Sequence, residues 1–122
     1  MRDGGDLNVP TRMLCRLGDI PDGEARGFPA PPGGFTGLFA IRRGARVFVY
    51  VNSCPHIGLP LEPVPNRFLD RKREMIVCAA HGARFSVEDG VCVSGPCMGD
   101  VLEAVPVTMV ADEVHVPADA GR

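Results

Sequence analysis

The segment Leu38-Phe39-Ala40-Ile41-Arg42-Arg43-Gly44-Ala45-Arg46-Val47-Phe48-Val49-Tyr50-Val51 holds two apolar runs separated by four residues of turn chemistry. It reads as strand, tight turn, strand, with the paired arginines in a solvated turn. The same grammar recurs downstream. Arg84-Phe85-Ser86-Val87 runs into Glu88-Asp89-Gly90 and returns as Val91-Cys92-Val93, and Asp-Gly supplies the positive φ that such a turn requires. A further hairpin is predicted from Arg67-Phe68-Leu69, a charged tip Asp70-Arg71-Lys72-Arg73-Glu74, and Met75-Ile76-Val77-Cys78. Upstream, Thr11 to Leu17 alternates as a strand does, and Gly18 to Gly23 supplies a turn. Val101 to Val110 and Val114 to Val116 read as closing strands around the turn Ala111 to Glu113. Phe28 to Gly37, with three prolines and three glycines, reads as a loop, and residues 1–10 as a loose leader. A short helical turn fits only near Leu59 to Val64, so the chain is predicted to be mostly sheet.

Composition agrees. Fifteen glycines and 12 prolines in 122 residues, with 45% hydrophobic residues, favour short elements joined by turns, and the length suits one domain. The net charge of -2 gives no electrostatic case for nucleic acid, and 6% aromatic residues leave little for base stacking. Met1 to Pro10 lacks the basic and apolar regions of a secretory signal, so a cytoplasmic location is expected. The apolar run Val47 to Val51 is far shorter than the roughly 20 residues of a membrane helix, so no membrane association is expected. Five cysteines, an odd number, fit reduced or metal-bound thiols better than a disulfide framework.

Chemistry concentrates in Cys54-Pro55-His56 and Cys78-Ala79-Ala80-His81. Each pair follows a predicted strand and enters a glycine-containing loop. Such short spacings let both side chains of a pair reach one metal only where the backbone turns, and Gly58 and Gly82 allow backbone amides to approach a metal or sulfide closely. A Cys2His2 set also suits structural zinc. Zinc fingers, however, usually carry their histidines on a helix, whereas both pairs here lie in loops. A Cys78 nucleophile activated by His81 would leave Cys54 and His56 unexplained. Cys15 and Cys92 read as packing residues on strands, and His115 as a solvent-facing strand histidine. Arg71-Lys72-Arg73 reads as a solvated turn.

These pairs resemble the Rieske iron-sulfur family, whose pattern is Cys-x-His, an insert, then Cys-x-x-His-Gly. The resemblance extends to Asn52-Ser53-Cys54-Pro55-His56-Ile57-Gly58, to Cys78 through Phe85, and to Asp89-Gly90 and Gly95-Pro96, and it covers roughly residues 11–117. The insert at residues 57–77 is longer than the family's commoner spacing, and the charged Phe68 to Ile76 hairpin accounts for the excess.

The resemblance implies an all-β fold of stacked antiparallel sheets, a single domain over residues 1–122. Its base would comprise residues 1–52 and 99–122, and an inserted cluster-binding lobe residues 53–98. It implies one 2Fe-2S cluster per chain, with Cys54 and Cys78 binding one iron and His56 and His81 the other. The implied role is a soluble one-electron carrier without catalytic activity alone, relaying electrons from a flavoprotein reductase to a terminal oxygenase. An accessory subunit of a nitrite reductase-like enzyme and a zinc-stabilised interaction module are the alternatives. An imidazole edge at the surface is expected, within an apolar patch of Ile57, Leu59, Pro60, Ala83 and Pro96. Cys97 falls in the implied cover loop. Respiratory members carry a disulfide at positions that correspond here to Leu59 and Ala80, and hydroxyl donors at positions that correspond to Ala83 and Phe85.

Overall fold

The computed structural model describes residues 10–30, 36–55, 61, 66–78, 82–96 and 98–120. In chain order the strands are β1 Thr11–Arg16, β2 Ala25–Phe28, β3 Leu38–Arg43, β4 Arg46–Val51, β5 Met75–Cys78, β6 Ala83–Ser86, β7 Cys92–Ser94, β8 Ala104–Val105, β9 Thr108–Val110 and β10 Glu113–Pro117. One 3-10 turn, Leu17–Asp19, follows β1. The strands form three sheets, ordered β1-β10-β9, β2-β3-β4-β8 and β5-β6-β7, and every pairing is antiparallel. Among the described residues no helix is long and apolar enough to cross a membrane.

The β3-β4 hairpin is buried on both faces. Phe39, Ile41 and Tyr50 point into one core with Ile76, Cys78, Ala83, Phe85 and Cys92 of the β5-β6-β7 sheet. Leu38, Ala40 and Val49 point the other way, into a core with Cys15, Val114 and Val116 of the β1-β10-β9 sheet. Two-sided burial explains the near-continuous apolar run, since a strand with one wet face would alternate. The expected stacked antiparallel sheets are present, and the four-stranded sheet is the middle layer.

The Arg84 to Val93 hairpin forms as read, with Gly90 at φ 74. The turn between β3 and β4 begins two residues later than read: Arg42 and Arg43 pair with Val47 and Arg46 inside the strands, and Gly44-Ala45 makes the turn. Neither arginine is merely solvated. Arg42 donates from Nε to the Gly44 carbonyl at 2.7 Å and from Nη1 to the Ile20 carbonyl at 3.1 Å, and Arg43 donates to the Arg73 carbonyl at 2.9 Å. Strand β2 falls in a segment without strand signature. It is a half-buried strand containing Gly27 that, among the described residues, pairs only with β3. The possible turn near Leu59 to Val64 lies outside the described residues apart from Leu61.

The charged hairpin is anchored rather than appended. Phe68 is fully buried and stacks on Phe39 with ring centroids 4.4 Å apart, and Leu69 bridges to Ile76. At its tip Asp70 accepts hydrogen bonds from the Glu74 amide at 2.9 Å and from Arg84 Nη1 at 3.0 Å. Burial alone would raise the Asp70 pKa, but the Glu74 and Met75 amides and Arg84 together bring it below the usual carboxylate value.

Tyr50 donates to the buried Val87 carbonyl at 2.6 Å, joining the middle sheet to the β6-β7 turn. Burial, then Asp89 and Glu88, push its phenol up to about 12, so it stays protonated. Tyr50→Phe leaves that carbonyl without its donor and is expected to cost about 1–3 kcal/mol in urea unfolding. Asp70, with its folded pKa depressed, contributes stability that is present above its unfolded value of about 3.9 and is lost as pH falls through the lower folded value. In acid titrations of stability, Asp70→Asn should therefore lose that part of the acid dependence.

Candidate metal centre

Two strand ends deliver the cysteines. Beyond β4 the chain is pinned as it leaves the sheet: the Asn52 amide donates to the Gly37 carbonyl at 2.9 Å and the Ser53 amide to the Val51 carbonyl at 2.8 Å. Asn52 Oδ1 accepts from the Leu61 amide at 3.0 Å, so this side chain ties together the two ends of the segment that carries Cys54 and His56. Cys78 is the last residue of β5, in register with Ala83, and its carbonyl accepts from the Gly82 amide at 2.8 Å. That bond closes the segment containing His81 in the same manner. Both loops are thus fastened at their bases by hydrogen bonds from described residues.

Cys54 and Cys78, far apart in sequence, lie in one buried core. Phe85, Phe68 and Leu61 belong to the same core, so the setting is apolar. The segment after β7 closes over it: a Cβ on Gly95 would lie 2.8 Å from Ala83 Cα and 3.1 Å from Ala83 Cβ, and Gly95 adopts φ +99. Only glycine allows this approach without displacing backbone. Ala83 is consequently buried beneath Gly95 and forms no part of an exposed patch, contrary to expectation, while Pro96 is exposed.

Sulfur donors at paired loop ends, under a glycine contact, fit the thiolate half of an iron-sulfur site. Among the described residues no three His, Cys, Asp or Glu side chains gather in a metal-binding group. The other two candidate ligands, His56 and His81, lie outside the described residues, as do Ile57, Gly58, Leu59, Pro60, Ala80 and Cys97.

The remaining described thiols sit where the sequence places them, in strand packing. Cys15 on β1 is buried, and burial first, then Asp19, push its pKa up to about 11, so it remains a thiol at neutral pH. Cys92 on β7 is buried, and its thiol donates to the Ser94 carbonyl at 3.2 Å. His115 lies on β10 between two buried valines, facing away from the core, with Nε2 2.9 Å from Glu113 Oε1.

Three stacked antiparallel sheets with buried cysteines at the mouths of two separate loops suit an iron-sulfur domain. The family model of the Rieske [2Fe-2S] domain matches residues 12–110, and the chain belongs to that family, with one 2Fe-2S cluster as its cofactor. Solved structures share the fold. The ferredoxin of carbazole 1,9a-dioxygenase from Nocardioides aromaticivorans IC177 is 22% identical, with 88% of this chain and 97% of that chain covered and a TM-score of 0.69. The Sphingomonas yanoikuyae B1 ferredoxin is 24% identical, with 88% and 98% covered and a TM-score of 0.67. A chain in a complex of reduced oxygenase and oxidized ferredoxin in carbazole 1,9a-dioxygenase is 24% identical, with 94% and 98% covered and a TM-score of 0.70. No curated protein matches the chain.

Gly95→Ala should force the cover segment off Ala83 and destabilise the protein by more than about 1 kcal/mol in urea unfolding. Gly18→Ala, where nothing lies within 4 Å of the added methyl group, is the matched control and should change stability little.

Proposed function

We propose that the chain is a one-electron carrier that receives electrons from a flavoprotein reductase and delivers them to a terminal oxygenase. Its cluster would be held by Cys54 and Cys78 on one iron and by His56 and His81 on the other. The observation that carries this reading is the placement of Cys54 and Cys78 in one buried core at the entrances of two separately fastened loops. The fold neighbours support the choice of partner, since oxygenase and ferredoxin form a complex in the carbazole 1,9a-dioxygenase structure that shares this fold.

When bound, a Rieske cluster supplies a single-electron couple whose histidine ligation raises the potential relative to four-cysteine centres. The residues of this chain set the charge against which that electron is added. Two thiolates from Cys54 and Cys78 balance two ferric ions and two sulfides, so the oxidised centre is neutral; four thiolates would leave it negative beforehand. Ala83, in register with Cys78, and Phe85, which shares its core, are both buried and have no hydrogen-bond donor on their side chains. Where other members of the family place hydroxyls at these positions, the added negative charge is stabilised, and here that stabilisation is missing.

Purified protein should show the visible absorption of a Rieske centre and contain equal iron and acid-labile sulfide; a colourless preparation with stoichiometric zinc overturns the reading. Cys54→Ser and Cys78→Ser should abolish that spectrum, with Cys15→Ser and Cys92→Ser keeping it. Voltammetry near neutral pH should give a midpoint near the low end of the roughly -150 to +300 mV span of Rieske centres. A value above about +150 mV would show that backbone amides or burial outweigh the absent hydroxyls.

A further inference from the structure

The charged hairpin frames an open groove of about 720 Å3 on the face of β5 and β6 that points away from the core. Ile76 and Cys78 point inward, so the intervening Met75 and Val77 point out; with Leu69 they give the groove a half-buried apolar floor. Arg67, Arg71 and Lys72 stand exposed on its rim, and among the described residues none of them has an ion-pair partner. The neighbouring cations are already engaged: Arg73 Nε lies 2.8 Å from Glu24 and Arg84 Nη1 3.0 Å from Asp70. Of the described carboxylates lining the groove, Asp70 is held by Arg84 and two backbone amides, leaving Glu74 against the three described cations Arg67, Arg71 and Lys72. This local excess of positive charge sits on a chain whose net charge is -2.

We infer that this groove docks an acidic segment of a protein electron partner, an extended stretch alternating carboxylate and apolar side chains. The inference rests on the electron-carrier reading above. Successive side chains of an extended segment point to opposite sides, so its apolar residues can cover Leu69, Met75 and Val77 while its carboxylates meet the rim. Charge complementarity of this kind accelerates encounter and fixes orientation, which suits a partner that must bind and leave at each turnover. Position supports it as well: β5 forms the groove floor and ends at Cys78, so a partner seated here lies against the strand that enters the second cysteine loop. Among the described residues the lining contains no aromatic side chain on which a nucleic acid base could stack.

The test uses the full-length, cluster-loaded protein and a fluorescein-labelled peptide of six Leu-Glu repeats, followed by fluorescence anisotropy at low and at physiological ionic strength. The combined Arg67→Gln, Arg71→Gln and Lys72→Gln variant should bind at least about tenfold more weakly and lose most of the salt dependence, with its visible spectrum unchanged. Arg16→Gln with Arg46→Gln, which removes two exposed cations elsewhere, should bind as the parent does, and a Ser-Glu repeat should bind more weakly than the Leu-Glu repeat. The docking inference is overturned by equal binding to the triple variant, by equal weakening in the control variant, or by equal binding of the Ser-Glu peptide. It is also overturned if duplex DNA or phosphatidylserine vesicles bind more tightly through the same three residues. Absence of a Rieske spectrum from the parent protein would instead overturn the carrier reading, which peptide binding does not report.

Discussion

Burial of the β3-β4 hairpin on both faces is the constraint on which the rest of the molecule depends. With Phe39, Ile41 and Tyr50 in one core and Leu38, Ala40 and Val49 in the other, neither outer sheet can leave without exposing half of this hairpin to water. Burying a single large apolar side chain contributes roughly 1.5–3 kcal/mol, so the middle layer couples the two cores strongly. The coupling reaches the site directly. Strand β4 ends at Val51, and the backbone bond from Asn52 to Gly37 fixes where the chain turns toward Cys54. On the other side of the same core, Phe39 supports Phe68 and through it the hairpin that leads into Cys78. Both cysteine loops therefore take their positions from one pair of strands.

Among the described thiols, burial does not separate the proposed ligands from the packing residues, because all four are buried. Backbone context does. Cys15 is paired with Val114 inside a sheet, and Cys92 is in register with Phe85 while its amide and carbonyl bond Asp100 and Gly99. Both lie between neighbours that are themselves strand or bridge residues, so no loop opens beside them. Cys54 follows its strand and Cys78 ends one, each at the mouth of a loop closed by its own hydrogen bond. A thiolate there can be aimed by loop conformation while the sheet stays intact, and the binding energy of a cluster would then act on the loops rather than on the core.

Most of this architecture was legible because its signals are local. The Asp89-Gly90 turn, the apolar runs of β3 and β4, and the short Cys/His spacings depend on neighbouring residues only. What escaped depends on residues distant in sequence. Strand β2 has no pattern of its own and exists because β3 offers it a free edge. Arg42 and Arg43 look like turn residues until their acceptors appear, and those carbonyls belong to Ile20 and Arg73. Ala83 seemed suited to a surface patch, yet its burial is set by Gly95, which reaches it from beyond β7.

The charged hairpin shows how an insertion can be accommodated without disturbing the site it borders. An insert between two ligand loops risks moving one relative to the other. Here Phe68 enters the existing core by stacking on Phe39, so the hairpin adds buried area at its base while its charges remain outside. Asp70 then ties the tip back to β6 through Arg84, one residue beyond the partner of Cys78. The exposed pair itself contributes little energy, but with the two amide bonds to Asp70 it restricts how the tip can swing. A surface for recognition can consequently vary at Arg67, Arg71 and Lys72 while the strand that carries Cys78 keeps its register, which separates the choice of partner from the geometry of the redox site.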